Sequence, residues 1–207
     1  MKNIMFIAPP AAGKGTQAEL VVEKYHIPHI STGDILREIA KEDSEIGQYV
    51  FETLASGKLV KDEITYQLIE ERLARDDCKN GYIIDGFPRN LAQAKELDKM
   101  VELDKAIMIH LDDEEIINRL SKRRMCKVCG NPTHMDWLVD NKCEKCGGDV
   151  YQRDDDAPAT IKARLEKQKL PQDVIDFYKE KGIYEQITST DTKEETFKLV
   201  DAILKTL

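Results

Sequence analysis

Residues 4–16 read IMFIAPPAAGKGT, and this stretch indicates how the chain begins to fold. A short apolar run at residues 4–7 ends at two prolines, and a helical pattern opens at Gly13. A strand, a glycine-containing loop and a helix in this order are the setting of a phosphate-binding loop, whose backbone amides and Lys14 would face an anion. The alternative is an ordinary helix start, because the standard loop begins with Gly rather than Ala8 and has Ser or Thr directly after its lysine.

Short apolar runs and helical patterns alternate along the rest of the chain. The apolar runs lie at residues 82–84, 106–109 and 184–188, and the helical patterns lie near residues 33–41, 62–75, 90–100, 113–122 and 193–207. This alternation predicts an α/β fold with a buried parallel sheet and helices on both of its faces. The last helix is expected to turn the following side chains inward: Phe197, Leu199, Val200, Ile203 and Leu204.

The chain's length and charge bound its function. Its 207 residues suffice for one main domain with one or two small insertions. With 31 basic and 39 acidic residues the formal charge is −8, the wrong sign for a protein that clamps a nucleic-acid backbone. No apolar run approaches the roughly 18 residues of a membrane span, and the first residues lack a leader pattern. We therefore expect a cytoplasmic protein with no nucleic-acid or membrane partner.

Four of the five cysteines form the pattern C-x2-C-x13-C-x2-C. This spacing is typical of a four-thiolate zinc ribbon, and Gly130 and Gly147 stand where the chain must turn around the metal. The predicted ligands are Cys126, Cys129, Cys143 and Cys146. Four sulfurs fill a tetrahedral site, so the predicted zinc is structural. His134 is a possible competing ligand but is more simply a loop histidine, and Trp137 is expected to pack inside the ribbon.

Two further motifs follow predicted strands or begin predicted helices. STGD at residues 31–34, with Arg37 one turn later, offers hydroxyls and a guanidinium, although such a motif by itself is more often a capped helix with a surface arginine. DGFPR at residues 85–89 directly follows an apolar strand, at the sheet edge where α/β proteins bind ligands. There Asp85 suits a hydrated Mg²⁺ and Arg89 can fork onto a phosphate, the alternative being a turn with a solvated arginine.

GKGT at residues 13–16, STGD and DGFPR together give the chain a close resemblance to the adenylate kinases over about residues 3–207. The resemblance implies a P-loop nucleoside monophosphate kinase fold, with a parallel five-stranded sheet flanked by helices and a small zinc-ribbon lid insertion. It also implies three parts. These are a core of residues 1–30, 61–121 and 158–207, an AMP-binding subdomain of residues 31–60 and a zinc-binding lid of residues 122–157.

The resemblance further implies roles for individual residues. ATP binding falls to Gly13, Lys14, Gly15, Thr16, Arg119 and Arg123. AMP binding falls to Thr32, Arg37, Lys58, Val60, Gly86, Arg89, Gln93, Arg153 and Arg164. The catalytic residues, expected around the transferring phosphoryl group, are Lys14, Asp85, Arg89, Arg123, Arg153 and Arg164. From spacing, two of Arg119, Arg123 and Arg124 would share a helix face, which by itself is more often a solvated basic surface.

The expected activity is reversible, Mg²⁺-dependent transfer of a phosphoryl group, ATP + AMP = 2 ADP, by a monomer that maintains the adenine nucleotide pool. The alternatives are a kinase for another acceptor such as UMP, CMP or GMP, a zinc-ribbon nucleic-acid binding module, and a non-catalytic nucleotide sensor. The sensor is raised by Ala8 and Ala11, which stand where the family's loop has glycines. If either residue adopts a positive φ, alanine costs about 1–2 kcal/mol there.

Overall fold

A parallel sheet of five strands lies at the centre of the protein. The computed structural model describes residues 2–153, 156, 161, 165, 170–190 and 192–207. The strands of the sheet are β1 (Lys2–Ile7), β2 (His29–Ser31), β3 (Gly81–Asp85), β4 (Lys105–His110) and β8 (Tyr184–Thr188). Their spatial order is β2-β3-β1-β4-β8, and each neighbouring pair is parallel. The predicted α/β class and five-stranded parallel sheet are confirmed.

Helices connect the strands and cover both faces of the sheet. They are α1 (Lys14–Tyr25), α2 (Thr32–Ile39), α3 (Glu45–Ala55), α4 (Asp62–Leu73), α5 (Leu91–Met100), α6 (Asp113–Lys122), α7 (Gln172–Glu180) and α8 (Lys193–Leu204). Side-chain caps fix several starts, since Ser31, Asn90 and Thr192 each accept the amide hydrogen of the residue three positions later. None of the helices in the described ranges is long and apolar enough to cross a membrane.

The strands alternate their side chains between two hydrophobic clusters. One face of the sheet contributes Met5, Ile7 and Ile84 to a cluster with α4, α5 and α7. The opposite face contributes Ile4, Phe6 and Ile83 to a cluster with α1 and α8. Because both faces are covered, the three central strands β1, β3 and β4 are rich in apolar residues, which is the pattern that predicted a parallel sheet.

A second, small sheet interrupts the alternation of strands and helices between α6 and α7. It consists of β5 (Arg123–Cys126), β6 (Pro132–His134) and β7 (Val150–Tyr151), which pair antiparallel in the order β6-β5-β7. Residues 123–151 are called the ribbon below. The structure corrects two expectations here. Arg123 and Arg124 lie on β5 rather than on a helix with Arg119, because α6 ends at Lys122. Trp137 is 67% exposed instead of packed inside.

Helix α8 packs its buried line of Thr196, Val200 and Leu204 against the sheet. Phe197 and Ile203 are partly buried beside this line, as expected. Leu199 does not follow the prediction, since its side chain points away from the sheet and is 42% exposed. The inward stripe is therefore narrower than the apolar residues of the helix suggested.

A buried carboxylate joins α8 to α1. The Asp201 carboxylate accepts a hydrogen bond from the Tyr25 hydroxyl at 2.8 Å, and its oxygens lie 2.5 Å from Lys24 Nζ and 2.8 Å from Lys205 Nζ. Hydrogen bonds from Lys205 and Lys24 hold the pKa of Asp201 well below its usual range. Asp201 is therefore ionised at every pH at which the protein works, and it holds two helices together.

We expect Asp201→Asn to destabilise the protein by about 1–3 kcal/mol near neutral pH, because three partners lose a charged acceptor. A carboxyl whose pKa is lowered by folding stabilises above its ordinary pKa of 3.8, and that stabilisation is lost as the pH falls below this value. The difference in the free energy of unfolding between wild type and variant, measured with urea, should therefore shrink as the pH is lowered from neutral towards 3. Glu194→Gln on the same helix is the control, since its side chain is 66% exposed. An equal loss at neutral and acidic pH would contradict the assignment.

Candidate active site

The loop between β1 and α1 leaves an open, amide-lined space at the start of a helix. Gly13 ends the loop with φ +87°, and it carries no side chain that could cap the helix. The first amides of α1 lack partners within the helix and are available to an anion. A Cβ added at Gly13 or Gly15 would meet no atom within 4 Å, so the space before these residues is open. The loop thus has the form that a phosphate group requires.

Ala11 holds the same loop in a strained conformation. Its φ is +60°, in the left-handed region where alanine is disfavoured. Ala8 is not among the described residues with positive φ. The sequence analysis predicted a cost in stability for Ala8 or Ala11 if either adopted a positive φ. That cost therefore applies only to Ala11.

Lys14 folds back over the loop that precedes it. Its Nζ donates to the carbonyl oxygens of Ala8 at 3.0 Å and Pro9 at 3.4 Å, and it lies 3.8 Å from Asp85 Oδ1. The side chain is mostly buried. Lys14 therefore joins the phosphate loop to the end of β3, and it places a positive charge between them.

Asp85 is a buried carboxylate at the carboxyl edge of the central sheet. Burial acts to raise the pKa of Asp85, but nearby positive charges, first that of Lys14, outweigh it and hold the pKa below its usual range. His29 Nε2 lies 3.5 Å from the other carboxylate oxygen. His29 could not be selected from the sequence, because its proximity to Asp85 arises from the pairing of β2 with β3. An ionised carboxylate in this position suits the water ligands of Mg²⁺.

The start of α2 carries a buried hydroxyl without a partner. Thr32 is 3% exposed, and its Oγ1 makes no hydrogen bond within the described part of the chain. A Cβ added at Gly86, whose φ is +85°, would lie 3.6 Å from the Thr32 Cβ and from the Gly33 amide nitrogen. An unsatisfied buried hydroxyl is costly, so its presence beside a bare backbone points to a polar ligand.

Of the predicted phosphate ligands, Arg37 contacts Asp34, and the charge of Arg153 also acts on this carboxylate. Arg37 Nη2 donates to Asp34 Oδ1 at 2.6 Å. Burial acts to raise the pKa of Asp34, but the charge of Arg37 and its hydrogen bond lower it, and the charge of Arg153 adds to this effect. The chain just beyond the ribbon therefore reaches the start of α2, although the two are far apart in sequence.

Arg89, Gln93, Asn90 and Asp62 form one hydrogen-bonded network at the start of α5. Arg89 Nε donates to the Gly86 carbonyl at 2.8 Å, and its backbone amide donates to Gln93 Oε1 at 2.6 Å. Gln93 Nε2 donates to Asp62 Oδ1 at 2.6 Å, and Asn90 Nδ2 donates to Asp62 Oδ2 at 3.1 Å. The sequence selected Arg89 and Gln93 but missed Asp62, which lies 31 positions before Gln93. Asp62 lies two positions after Val60, the last residue of a short segment that carries the predicted AMP-binding residues Lys58 and Val60.

That segment, Lys58 to Val60, joins α3 to α4. Val60 is buried in a small cluster with Leu36 and Val50, whereas Lys58 is exposed. The Lys58 amide donates to the Thr53 carbonyl at 3.2 Å. The packing of Val60 thus fixes the backbone of the segment next to α2.

Arg119 and Arg123 are held by acidic side chains. Arg119 Nε donates to Glu115 Oε1 at 2.7 Å, and its Nη1 lies 3.4 Å from the Ser189 hydroxyl just after β8. Arg123 forms two hydrogen bonds to the fully buried Asp156, at 2.7 and 2.6 Å. Arg164, the remaining predicted phosphate ligand, lies outside the described residues.

The four predicted metal ligands converge in the ribbon. Their sulfurs all lie within 4.8 Å of one another, with Sγ separations of 3.4 Å for Cys126 and Cys146, 3.8 Å for Cys129 and Cys143, and 3.3 Å for Cys129 and Cys146. Sulfurs at 2.3 Å from a tetrahedral zinc are about 3.8 Å apart, so the cluster has nearly the right size. His134 is not part of it.

Both pairs of cysteines sit in turns that suit thiolates. Gly130 and Gly147 have φ +69° and +71°, as the turns around a metal require. Backbone amides of Cys129 and Val128 point at Cys126 Sγ and lower the pKa of Cys126 to about 6. Sulfur donors of this number and geometry fit a structural zinc ion.

Comparison with known proteins identifies the family. A family model described as adenylate kinase matches residues 6–183. The chain belongs to the adenylate kinase family. It is 43% identical over 212 residues to an adenylate kinase of Archaeoglobus fulgidus, an alignment covering 98% of each chain. It is 45% identical over 209 residues to one of Caldicellulosiruptor bescii, which covers 95% of this chain and 97% of the relative.

An adenylate kinase of Thermodesulfovibrio yellowstonii is 42% identical over 212 residues, covering 98% of this chain and 99% of the relative. These matches span the loop, the sheet and the ribbon alike. Membership of the adenylate kinase family makes this chain a nucleotide-binding phosphotransferase. The sequence-based identification of the family, the fold and the class of enzyme is therefore confirmed.

We expect Ala11→Gly to stabilise the protein by about 0.5–1 kcal/mol. Glycine removes the strain of the left-handed conformation, but it also raises the conformational entropy of the unfolded chain, which offsets part of this stabilisation. Thermal unfolding should shift upward by about 1–4 °C. Ala8→Gly is the matched control in the same loop. It should lower the unfolding temperature or leave it unchanged, and a rise equal to that of Ala11→Gly would contradict the strain assignment.

We expect Cys143→Ser to abolish stoichiometric zinc binding. It should lower the unfolding temperature clearly and turnover less, because a structural metal would stabilise the ribbon and take no part in the chemistry. Metal content by elemental analysis and the unfolding temperature measure the two effects. Cys78→Ser removes a cysteine that lies outside the cluster and should leave the zinc content unchanged. Loss of turnover without loss of stability would indicate a catalytic metal instead.

Proposed function

We propose that this member of the adenylate kinase family transfers one phosphoryl group reversibly between ATP and AMP, ATP + AMP = 2 ADP. One observation carries the proposal. The open loop at Gly13, the Lys14 ammonium, the ionised Asp85 and Arg89 converge at one edge of the sheet, beside the unpartnered hydroxyl of Thr32. A binding site for phosphate thus adjoins a pocket for a second polar ligand.

ATP occupies the side of this site next to α1. Its phosphates accept hydrogen bonds from the amides of residues 13–16, and Lys14 neutralises their charge. Arg119 contacts ATP, and hydrogen bonds to Glu115 and Ser189 hold its guanidinium near the end of β8.

AMP occupies the side next to α2. Thr32 and Gln93 contact adenine, and Lys58 and Val60 hold it through their backbone. The groups that bind the AMP phosphate are the Gly86 backbone, Arg37, Arg89, Arg153 and Arg164. Arg37 then exchanges Asp34 for a phosphate, a stronger bidentate partner of the same charge sign.

The acceptor oxygen belongs to a phosphate that is already anionic at neutral pH. No general base is therefore required, and catalysis depends on alignment and on neutralisation of charge. Lys14, Arg89, Arg123, Arg153 and Arg164 supply positive charge to the transferring group. When Mg²⁺ is bound with ATP it neutralises further phosphate charge, and Asp85 is the residue that would hold its water ligands.

The ribbon acts as part of a lid that excludes water. Residues 122–157 form this lid, residues 31–60 the AMP-binding subdomain, and residues 1–30, 61–121 and 158–207 the core. Residue 157 and residue 158, where the lid returns to the core, lie outside the described residues. The zinc site, with its four thiolates, keeps the lid together so that it closes over both nucleotides as one body. The enzyme works as a monomer on ATP, AMP and ADP.

Purified, zinc-loaded protein should form two ADP for each ATP and AMP consumed, and only in the presence of Mg²⁺. Lys14→Ala should lower kcat by about 100-fold or more, because it removes a charge aimed at the transferring phosphoryl group. Lys198→Ala removes an exposed lysine on α8 and serves as the control. A coupled assay with AMP, UMP, CMP and GMP as acceptors reads both activity and preference. Higher kcat/KM for another acceptor, or full activity of Lys14→Ala, would refute the proposal.

A further inference from the structure

The carboxylate of Asp62 is the centre of the network at the start of α5, and Asp62 itself has no part in the proposed reaction. Asp62 is the first residue of α4 and is partly buried. One of its oxygens accepts from Gln93 Nε2 at 2.6 Å, and the other accepts from Asn90 Nδ2 at 3.1 Å. Asn90 in turn accepts the Gln93 backbone amide at 2.8 Å and caps α5. Asp62 therefore holds the Gln93 side chain directly, and it holds the Gln93 backbone indirectly through Asn90.

The network fixes which way the Gln93 amide faces. A carboxylate only accepts hydrogen bonds, so the NH₂ end of Gln93 must face Asp62. A backbone amide only donates, so the carbonyl end must face the Arg89 amide, which lies 2.6 Å from Oε1. Gln93 is only 2% exposed, so no water competes for either end. Exchanging the two ends would place donor against donor at Arg89 and acceptor against acceptor at Asp62.

The fixed amide keeps one donor and one acceptor for a ligand. Of the two N–H groups of Nε2, one is bound to Asp62, and of the two lone pairs of Oε1, one is bound to Arg89. The remaining pair matches adenine, which offers an amino group beside a ring nitrogen that accepts. A purine with a carbonyl oxygen at the same place, as in IMP or GMP, presents an acceptor to the Gln93 carbonyl and is repelled.

We propose that Asp62 is a positioning residue for acceptor specificity, which fixes the Gln93 amide in the orientation that selects AMP over 6-oxopurine nucleotides. The inference rests on the proposed function, since it presumes that Gln93 contacts the acceptor base. Asp62 itself touches no substrate. Its effect should therefore appear in AMP binding and in the choice of base, and not in the handling of ATP.

The test compares Asp62→Ala with Glu63→Gln, which removes a neighbouring negative charge from the same helix start at an exposed side chain. Asp62→Ala should raise KM for AMP about 10-fold and lower the ratio of kcat/KM for AMP over IMP by a similar factor, as expected for loss of one bidentate base contact. KM for ATP should change less than twofold in both variants. Asp62→Asn, whose carbonyl still accepts from Gln93, should recover most of the preference for AMP.

A double-mutant cycle separates positioning from general stability. If Asp62 acts through Gln93, Asp62→Ala should have no further effect on KM for AMP in a Gln93→Ala background. Should Asp62→Ala fail to fold, Asp62→Ser takes its place with the same expected values, because serine suits a helix start but is too short to reach Gln93. Calorimetric titration with AMP in the absence of ATP provides a readout independent of turnover.

Several outcomes would overturn the inference while leaving the proposed function intact. The first is an unchanged ratio of kcat/KM for AMP over IMP in Asp62→Ala, and the second is an equal rise in KM for ATP and for AMP. The third is an equal effect of Asp62→Ala and Glu63→Gln on KM for AMP. The fourth is additive effects on KM for AMP in the double mutant. Wild-type turnover is measured first. A wild type that leaves AMP and ATP unchanged would instead refute the proposed function itself.

Discussion

Positive charges that are gathered to bind phosphates repel one another, and in this protein acidic side chains hold four of them in place. Lys14 lies beside Asp85, Arg37 beside Asp34, Arg119 beside Glu115, and Arg123 beside Asp156. Each carboxylate neutralises one cation and fixes its direction, which reduces the cost of bringing the cations together. A chain with a formal charge of −8 can thus present a basic site to nucleotides. Of these pairs, Lys14 with Asp85 lies at the carboxyl edge of the central sheet.

The pairs differ in how easily a nucleotide can replace the carboxylate. Arg37 and Asp34 are partly exposed neighbours on one helix turn, and such a pair contributes little to stability, so a phosphate can take the arginine at small cost. Arg123 and Asp156 are different, because Asp156 is fully buried and binds the guanidinium through two hydrogen bonds. Removing Arg123 from this pair would leave a buried charge unpaired. In the proposed function Arg123 would therefore contact the phosphates from its place beside Asp156, whereas Arg37 would exchange Asp34 for a phosphate.

The sequence predicts the parts of this arrangement that depend on local pattern, and it misses those that depend on distant contacts. The predicted helical stretches at residues 62–75, 90–100 and 113–122 match α4, α5 and α6 within two residues, since each has a periodic apolar face and a clear start. Strand β2 was not predicted because three residues are too few to show alternation. Asp62 and His29 escaped notice for a related reason. Their partners Gln93 and Asp85 lie in other elements, and only the packing of α4 on α5 and of β2 on β3 brings them together.

The ribbon shows why a metal site was the most predictable feature of the whole chain. Several of its large apolar side chains face outward, with Val128 and Val139 exposed by 75% and 76%. The buried residues of the ribbon are few, and two of the metal ligands, Cys126 and Cys143, are among them. A segment of this size cannot offset the entropy of ordering its backbone with so little buried apolar surface. The four cysteine sulfurs could hold a metal ion, and the free energy of binding zinc there would supply what a hydrophobic core supplies elsewhere. Coordination of one ion by four sulfurs requires two closely spaced pairs of cysteines. The positions of four residues in the sequence therefore sufficed to predict the site.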